Sequence, residues 1–164
     1  MQIEYKEITK ENINDIVKMF TEKTTWNEKV LRDHIHLEAG SFSIVAIYVD
    51  TPVGLISTYT KDFTPPLTHL KDAYIDILEV GKDYQRRGIA RTLINLTEKW
   101  AQENGFVQIR SWSSEDKTEA IPMWYALGYS MCPAKLWIEW CKEIIDGYYV
   151  VKKLNNNTHY SCSV

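Results

Sequence analysis

Cysteine is scarce in this sequence: three residues, Cys132, Cys141 and Cys162, an odd number with no CxxC spacing. Neither a disulfide framework nor a zinc knuckle is therefore indicated, no metal is expected, and a reducing cytoplasm is the economical setting. Long apolar runs are missing too. Nothing approaches the roughly 20 residues that a membrane span needs, and the opening MQIEYKEITKENI is charged where a signal peptide has its apolar core, so no membrane partner is expected. Excess basic charge is also absent. Against 19 Lys and Arg stand 22 Asp and Glu, a balance of −3, which gives no global attraction to nucleic acid. A nucleic-acid module is the remotest of the functional classes. Internal repeats and linkers are lacking as well, so the 164 residues are expected to form one domain over residues 1–154, followed by a polar tail, NNNTHYSCSV, at 155–164.

What is present is an ordinary globular balance, 45% apolar and 25% charged, enriched in aromatics with six Trp and ten Tyr. Most of these belong in a core, although aromatic walls also suit organic ligands. QIEYKEI alternates and reads as a strand. From Glu11 the spacing of Ile13, Ile16, Val17 and Phe20 is helical, and Asn27 can cap a second helix carrying Val30, Leu31 and Ile35. FSIVAIYVD and VGLISTYT read as a hairpin turning at Asp50-Thr51-Pro52. A loop containing Pro65-Pro66 leads to AYIDILEV, a strong strand. Residues 88–104 form the clearest helix, with Ile89, Leu93, Leu96 and Trp100 as its stripe and Gly105 as its stop. VQIRSW is the next strand, EAIPMWYAL a short helix ended by Gly128, and GYYVVKKL the last of one or two closing strands. The order β, α, α, β, β, β, α, β, α, β predicts a mixed α/β (α+β) fold with one sheet flanked by helices. AYIDILEV, helix, VQIRSW is a βαβ unit, so those strands should be parallel neighbours.

The stretch EVGKDYQRRGIARTL joins that strand to the helix. The first turn of a helix leaves four amides without intrahelical partners, and its dipole places partial positive charge there. Amides around Gln85, Arg86, Arg87, Gly88, Ile89 and Ala90 can converge on one anion. Gly88 permits a tight path, small Ala90 a close approach, and Arg86 and Arg87 add full charges. This describes a diphosphate site without the Gly-x-Gly spacing of a dinucleotide fold. A solvated turn with two surface arginines explains the hexapeptide alone.

QRRGIA matches the Q/R-x-x-G-x-G/A motif of GNAT-type N-acetyltransferases, and EVGKDYQRRGIARTLI resembles that superfamily's acetyl-CoA signature. AIPMWYALGY is similar to the family's AIPFYEKLGF segment, through Ala120, Ile121, Pro122, Leu127 and Gly128. The resemblance extends over roughly residues 1–154 and implies a GNAT-like fold: a mostly antiparallel twisted central sheet with one parallel pair. It implies acetyl-CoA as acetyl donor, with residues 85–90 holding the pyrophosphate and the backbone of Leu78, Glu79 and Val80 pairing with the pantetheine arm. The thioester would enter a gap where IDILEV and VQIRSW splay apart.

The implied activity is direct acetyl transfer to a primary amine of a small molecule, a polyamine or an aminoglycoside among the cationic options, or of a peptide. A homodimer is compatible with it. A lysine-like amine must lose its proton first, which near pH 7 costs about 4.6 kcal/mol for a pKa near 10.4. Alternation places Tyr74, Asp76 and Leu78 on one strand face and Ile75, Ile77 and Glu79 on the other. By resemblance the first face borders the acceptor, and Asp76 corresponds to the glutamate of EGIYV in aminoglycoside N-acetyltransferases. Asp76 is accordingly the candidate proton acceptor or anchor for a cation; a solvated or lysine-paired strand carboxylate is the plainer account. His34, His36 and His69 have no trusted ligand spacing.

Many relatives protonate the departing thiolate with a tyrosine that falls at Trp124 here, a residue whose indole is no usable acid. Adjacent Tyr125 is rotated about 100° away, so either Tyr125 or solvent supplies that proton. Lys117 likewise replaces the family's frequent asparagine. Asp72, Asp76, Glu115, Asp116 and Glu119 form either an acidic rim for a polycation or scattered surface charge. The departure at Trp124 motivates a second class of function, a non-catalytic acetyl-CoA or CoA sensor.

Overall fold

The computed structural model describes residues 1–138 and 141–154. The proposed tail at 155–164, with Cys162, lies outside the described residues. Seven strands and four helices follow one another as β1 (Glu4–Glu7), α1 (Ile13–Lys23), α2 (Glu28–His34), β2 (Phe42–Tyr48), β3 (Thr51–Asp62), β4 (Lys71–Val80), α3 (Ile89–Glu103), β5 (Gln108–Ser114), α4 (Ala120–Ala126), β6 (Ser130–Ile138) and β7 (Glu143–Lys153). They build one sheet in the order β1-β2-β3-β4-β5-β7-β6. Every pairing is antiparallel except β4 with β5, the pair joined by the α3 crossover.

Alternation along the central strands splits the core into two layers. Ile44 and Ala46 of β2 join Ile75, Leu93, Ile94 and Ile109 on the α3 face. Val45 and Ile47 join Phe20, Leu31 and Leu55 on the α1/α2 face. In α1 the predicted residues Ile16, Val17 and Phe20 are fully buried. Asn27 caps α2 as the sequence implies: its side-chain oxygen accepts from the amides of Lys29 at 2.8 Å and Val30 at 3.3 Å, satisfying two otherwise unpaired donors. In α3 the buried stripe passes through Ile89, Leu93, Ile94, Thr97 and Ala101; Leu96 and Trp100 flank it, half-buried against the same core.

Two local expectations change and a third is made definite. The β2–β3 turn falls on Val49 and Asp50, both at positive φ (45° and 58°), the left-handed pair that suits the twist of a two-residue hairpin. Pro52 consequently lies inside β3, opposite Ile47 where the register shifts. The loop after β3 is shorter than the run of polar and proline residues suggests, because strand pairing continues to Asp62 opposite Lys71. Two strands close the sheet, β6 forming its edge.

A further difference concerns β4. Ser57 of β3 faces Ile77 and Thr58 faces Ile75, leaving Asp76 as an extra residue in a β-bulge. A bulge resets the alternation. Ala73, Ile75, Leu78 and Val80 pack on the α3 side, whereas Ile77 packs with the α1/α2 layer. Leu78 therefore does not share a face with Asp76, contrary to simple alternation. β4 also parts from β5 early: only Asp72, Tyr74 and the intervening Ala73 pair with Gln108–Arg110. Beyond that the strands diverge, and Ser111 Oγ donates to the Ile75 carbonyl at 2.9 Å at the fork.

Candidate active site

The bulge places Asp76 where two histidines can reach it. His34 ends α2 and His36 follows it, so the chain leaves the helix just as it passes over β4. His34 Nδ1 and His36 Nε2 lie 2.9 and 2.8 Å from the same Asp76 oxygen, Oδ2. A carboxylate only accepts, so each of these ring nitrogens carries its proton toward Asp76. His36 Nδ1 lies 3.2 Å from Glu38 Oε1. Both nitrogens of His36 thus face carboxylates. The hydrogen bond to Asp76 is the largest cause that raises its pKa, against the opposing effect of burial. Burial pushes the Asp76 carboxyl up, but hydrogen bonds from His36 and then His34 outweigh it and hold it below its ordinary value. His34 differs from its neighbour: only its Nδ1 is engaged by a carboxylate, and its side chain is 43% exposed.

The segment carrying His36 hangs from the sheet by two buried serines. The His36 amide donates to Ser57 Oγ at 2.9 Å, Ser43 Oγ donates to the His36 carbonyl at 2.9 Å, and the two hydroxyls lie 2.7 Å apart. Ser43 and Ser57 face each other across β2 and β3. Around the carboxylate stand Tyr59, tilted against His36 at 4.5 Å, and Tyr74, 5.5 Å from Tyr59. Burial pushes the Tyr74 hydroxyl up to about 12, so it stays protonated. Lys61 lies 4.1 Å above its ring.

The turn read from the sequence as a diphosphate site follows directly after this strand. After a short 3-10 turn at Lys82–Tyr84, Arg86 (φ 61°) and Gly88 (φ 83°) adopt left-handed conformations, and Gly88 caps α3 without a side-chain bond. Thr92 is the first α3 residue whose amide bonds back, to Gly88. Among the described residues no carbonyl accepts from the amides of residues 86–91, which leaves six successive donors for an anion. Gln85 does not extend toward this nest; its side chain donates to the Val80 carbonyl at 3.1 Å. Arg87 is anchored on the Asp83 carbonyl at 3.1 Å, while Arg86 is exposed.

The sequence-derived candidates thus divide. Asp76, the backbone of Leu78, Glu79 and Val80, and residues Gln85 to Ala90 lie on one continuous strand and turn. Trp124 is 3% exposed, packed edge-on against Tyr129 at 4.8 Å, and its indole N–H has no acceptor among the described residues. Tyr125 is 64% exposed and makes no hydrogen bond or ring contact with Asp76 or the histidines. Asp72 is no part of an acidic rim: its side chain is 1% exposed and paired with Arg110, and burial raises its pKa although Arg110 opposes that. Glu79, expected to point away from the Asp76 side, lines a hollow against α2 instead. Sequence reasoning named His34 and His36 without connecting them to Asp76. The available signal was HIH immediately after a helix capped by Asn27, which fixes where both rings emerge.

Comparison with known proteins begins with a family model described as "Acetyltransferase (GNAT) family", which matches residues 9–129. The chain belongs to that family. A search of curated proteins returns no match. Among solved structures, the Escherichia coli ribosomal-protein-S18-alanine N-acetyltransferase is similar with a TM-score of 0.70 at 12% identity, covering 97% of this chain and 98% of the other. Arabidopsis thaliana NAA60, in complex with a bisubstrate analogue, gives 0.69 at 14% identity, covering 94% and 99%. An N-acetyltransferase from Staphylococcus aureus Mu50 gives 0.70 at 14%, with the same coverage. At these identities the likeness concerns the fold, and this GNAT acetyltransferase shares it: mixed α/β, a mostly antiparallel sheet and one parallel pair. Among the described residues no helix is long and apolar enough to cross a membrane, and no group of three or more His, Cys, Asp and Glu is placed to hold a metal.

Proposed function

We propose that this enzyme transfers the acetyl group of acetyl-CoA directly to a primary amine, within a single domain spanning residues 1–154. The observation that carries the reading is the run of unpartnered amides at residues 86–91, in the turn and helix start that follow the strand carrying Asp76. Amides from Arg86 to Ala90, with the Arg86 side chain beside them, suit a pyrophosphate; that of Gln85 bonds to the Lys82 carbonyl at 3.4 Å. The edge of β4 at Leu78, Glu79 and Val80, released from β5 beyond Tyr74, offers main-chain groups to a pantetheine amide. The Trp124 indole N–H is buried against Tyr129 and without a partner among the described residues, so it is given no role at the sulfur.

In this reaction the acceptor nitrogen forms a bond to the acetyl carbonyl carbon, the carbon–sulfur bond breaks, and its electron pair leaves on sulfur. The proton released from nitrogen passes to Nε2 of His34, directly or through water. Asp76 fixes the His34 tautomer through Nδ1–H and stabilises the imidazolium that forms, as a carboxylate orienting a histidine base does. Exposed Tyr125 makes no contact with this cluster, so water is the proposed proton source for the thiolate. Purified protein should release CoA from acetyl-CoA in the presence of primary amines, and Asp76→Asn should lower kcat by about 10²- to 10⁴-fold. Absence of acetyl-CoA binding by calorimetry would end the proposal.

A CoA-binding sensor is the second reading, favoured by Trp124 at the position of the relatives' tyrosine. Thermal protection by acetyl-CoA without turnover on any amine would select it.

A further inference from the structure

Among the described residues His36 is the one histidine with a carboxylate at each ring nitrogen. Nε2 lies 2.8 Å from Asp76 Oδ2 and Nδ1 3.2 Å from Glu38 Oε1. A neutral imidazole carries a single N–H. Either neutral tautomer would therefore aim a ring lone pair at a carboxylate, acceptor against acceptor. The imidazolium alone gives both oxygens a donor. The second carboxylate is held for this contact. Glu38 Oε2 accepts from the Leu37 amide at 3.0 Å, and the Glu38 carbonyl accepts from the Ser41 hydroxyl at 2.6 Å and the Ser41 amide at 3.1 Å. Among the described residues Glu38 pairs with no other cation. Exposed Glu7, Lys10 and Glu11 share a hollow of about 260 Å³ with His36 and Glu38, where solvent screens their charges. From the sheet, Tyr59 packs on the His36 ring at 4.5 Å; burial raises its hydroxyl pKa, so it stays uncharged.

We propose that His36 is a resident cation of the site, an imidazolium clamped between Asp76 and Glu38, and that Glu38 is a positioning residue acting through it. The hydrogen bond to Asp76, which raises the His36 pKa against the effect of burial, acts in the same direction. The two histidines on Asp76 Oδ2 then differ in role. An uncompensated carboxylate would draw a proton onto His34 as well, and a histidine already protonated cannot receive one from the acceptor amine. His36 offsets that charge and leaves His34 to exchange its proton during turnover. This last step rests on the acetyltransfer reading; the charge on His36 does not.

The test follows the histidine ring resonances of isotope-labelled protein against pH by NMR, without acetyl-CoA, with His36→Gln assigning the signal. His36 should titrate above the ordinary value of about 6.5. Its proton affinity should weaken about three- to fivefold in Glu38→Gln. In Asp76→Asn, which alters the nearer and more buried partner, it should weaken about tenfold or more. Glu11→Gln changes a charge in the same hollow that does not touch the ring, and should alter the affinity less than about twofold. A wild-type His36 titrating at or below the ordinary value, or one unmoved by Glu38→Gln, would overturn the proposal. In turnover, His36→Gln should shift the acidic limb of kcat to higher pH, because uncompensated Asp76 then holds a proton on His34. A slower variant with that limb unmoved would overturn the electrostatic role and leave His36 a structural part. If no amine is acetylated, the acetyltransfer reading fails, while the NMR titration still decides the charge on His36.

Discussion

Asp76 and His36 form a coupled pair whose pKa values move in opposite directions. The raised His36 value means its stabilising contribution is complete below the unfolded value of about 6.5 and lost as pH rises through the folded one. The lowered Asp76 value means its contribution is complete above the unfolded value of about 3.9 and lost as pH falls through the folded one. The pair therefore stabilises most in the mildly acidic window between them. Thermal unfolding of the wild type and His36→Gln across pH 4 to 9 should differ most near pH 5 to 6 and converge at alkaline pH. Gly88 permits a cleaner residue-scale test. A Cβ there would meet nothing within 4 Å, yet φ is +83°. Gly88→Ala should thus cost only backbone strain, about 1–2 kcal/mol, without a steric clash. Acetyl-CoA affinity, read by calorimetry, should fall as the amide nest distorts.

At the scale of elements, the proposed site rests on a strand that stops pairing. β4 leaves β5 after Tyr74 and opens an edge, the bulge redirects its side chains, and the turn to α3 supplies donors. The facing segment after α2 is held in place by Ser43 and Ser57, both 1% exposed or less. Removing the Ser57 hydroxyl leaves the half-buried His36 amide without its acceptor, which costs about 1–3 kcal/mol. Ser57→Ala should lower the urea midpoint accordingly and reduce kcat more than the KM for acetyl-CoA, because the histidines move relative to Asp76 while the turn at residues 85–90 is untouched. A change confined to stability would assign the serine pair to folding alone.

For the molecule as a whole, ligand binding and folding are linked. The proposed acetyl-CoA site draws on β4 and α3, both anchored in the main core, so a ligand that binds only the folded state should stabilise all of it together. At a concentration one hundred times Kd the gain is about 2.7 kcal/mol. For a chain of 164 residues this should raise Tm by roughly 5–11 °C, measurable by scanning calorimetry. Gly88→Ala should reduce the increment more than it reduces the Tm of the free protein.

Much of this architecture could be read directly from the chain, for local reasons. Helical spacing marks α1 and α3, Asn27 announces α2, and a turn rich in small and basic residues between an apolar strand and a helix marks the tight left-handed turn at Arg86 and Gly88. These features depend on neighbours within a few positions, where propensity and periodicity act. The bulge, the faces of Asp76, Leu78 and Glu79, the burial of Asp72 with Arg110, and the meeting of His34 and His36 with a carboxylate some forty residues away are different. Each arises from pairing between distant strands: an extra residue in β4 is defined only against β3, and an ion pair only by which strands become neighbours. The sequence alone determined the strand, turn and helix that leave a row of free amides; the tertiary structure decided which side chains meet the Asp76 carboxylate, because that depends on groups brought together by the sheet.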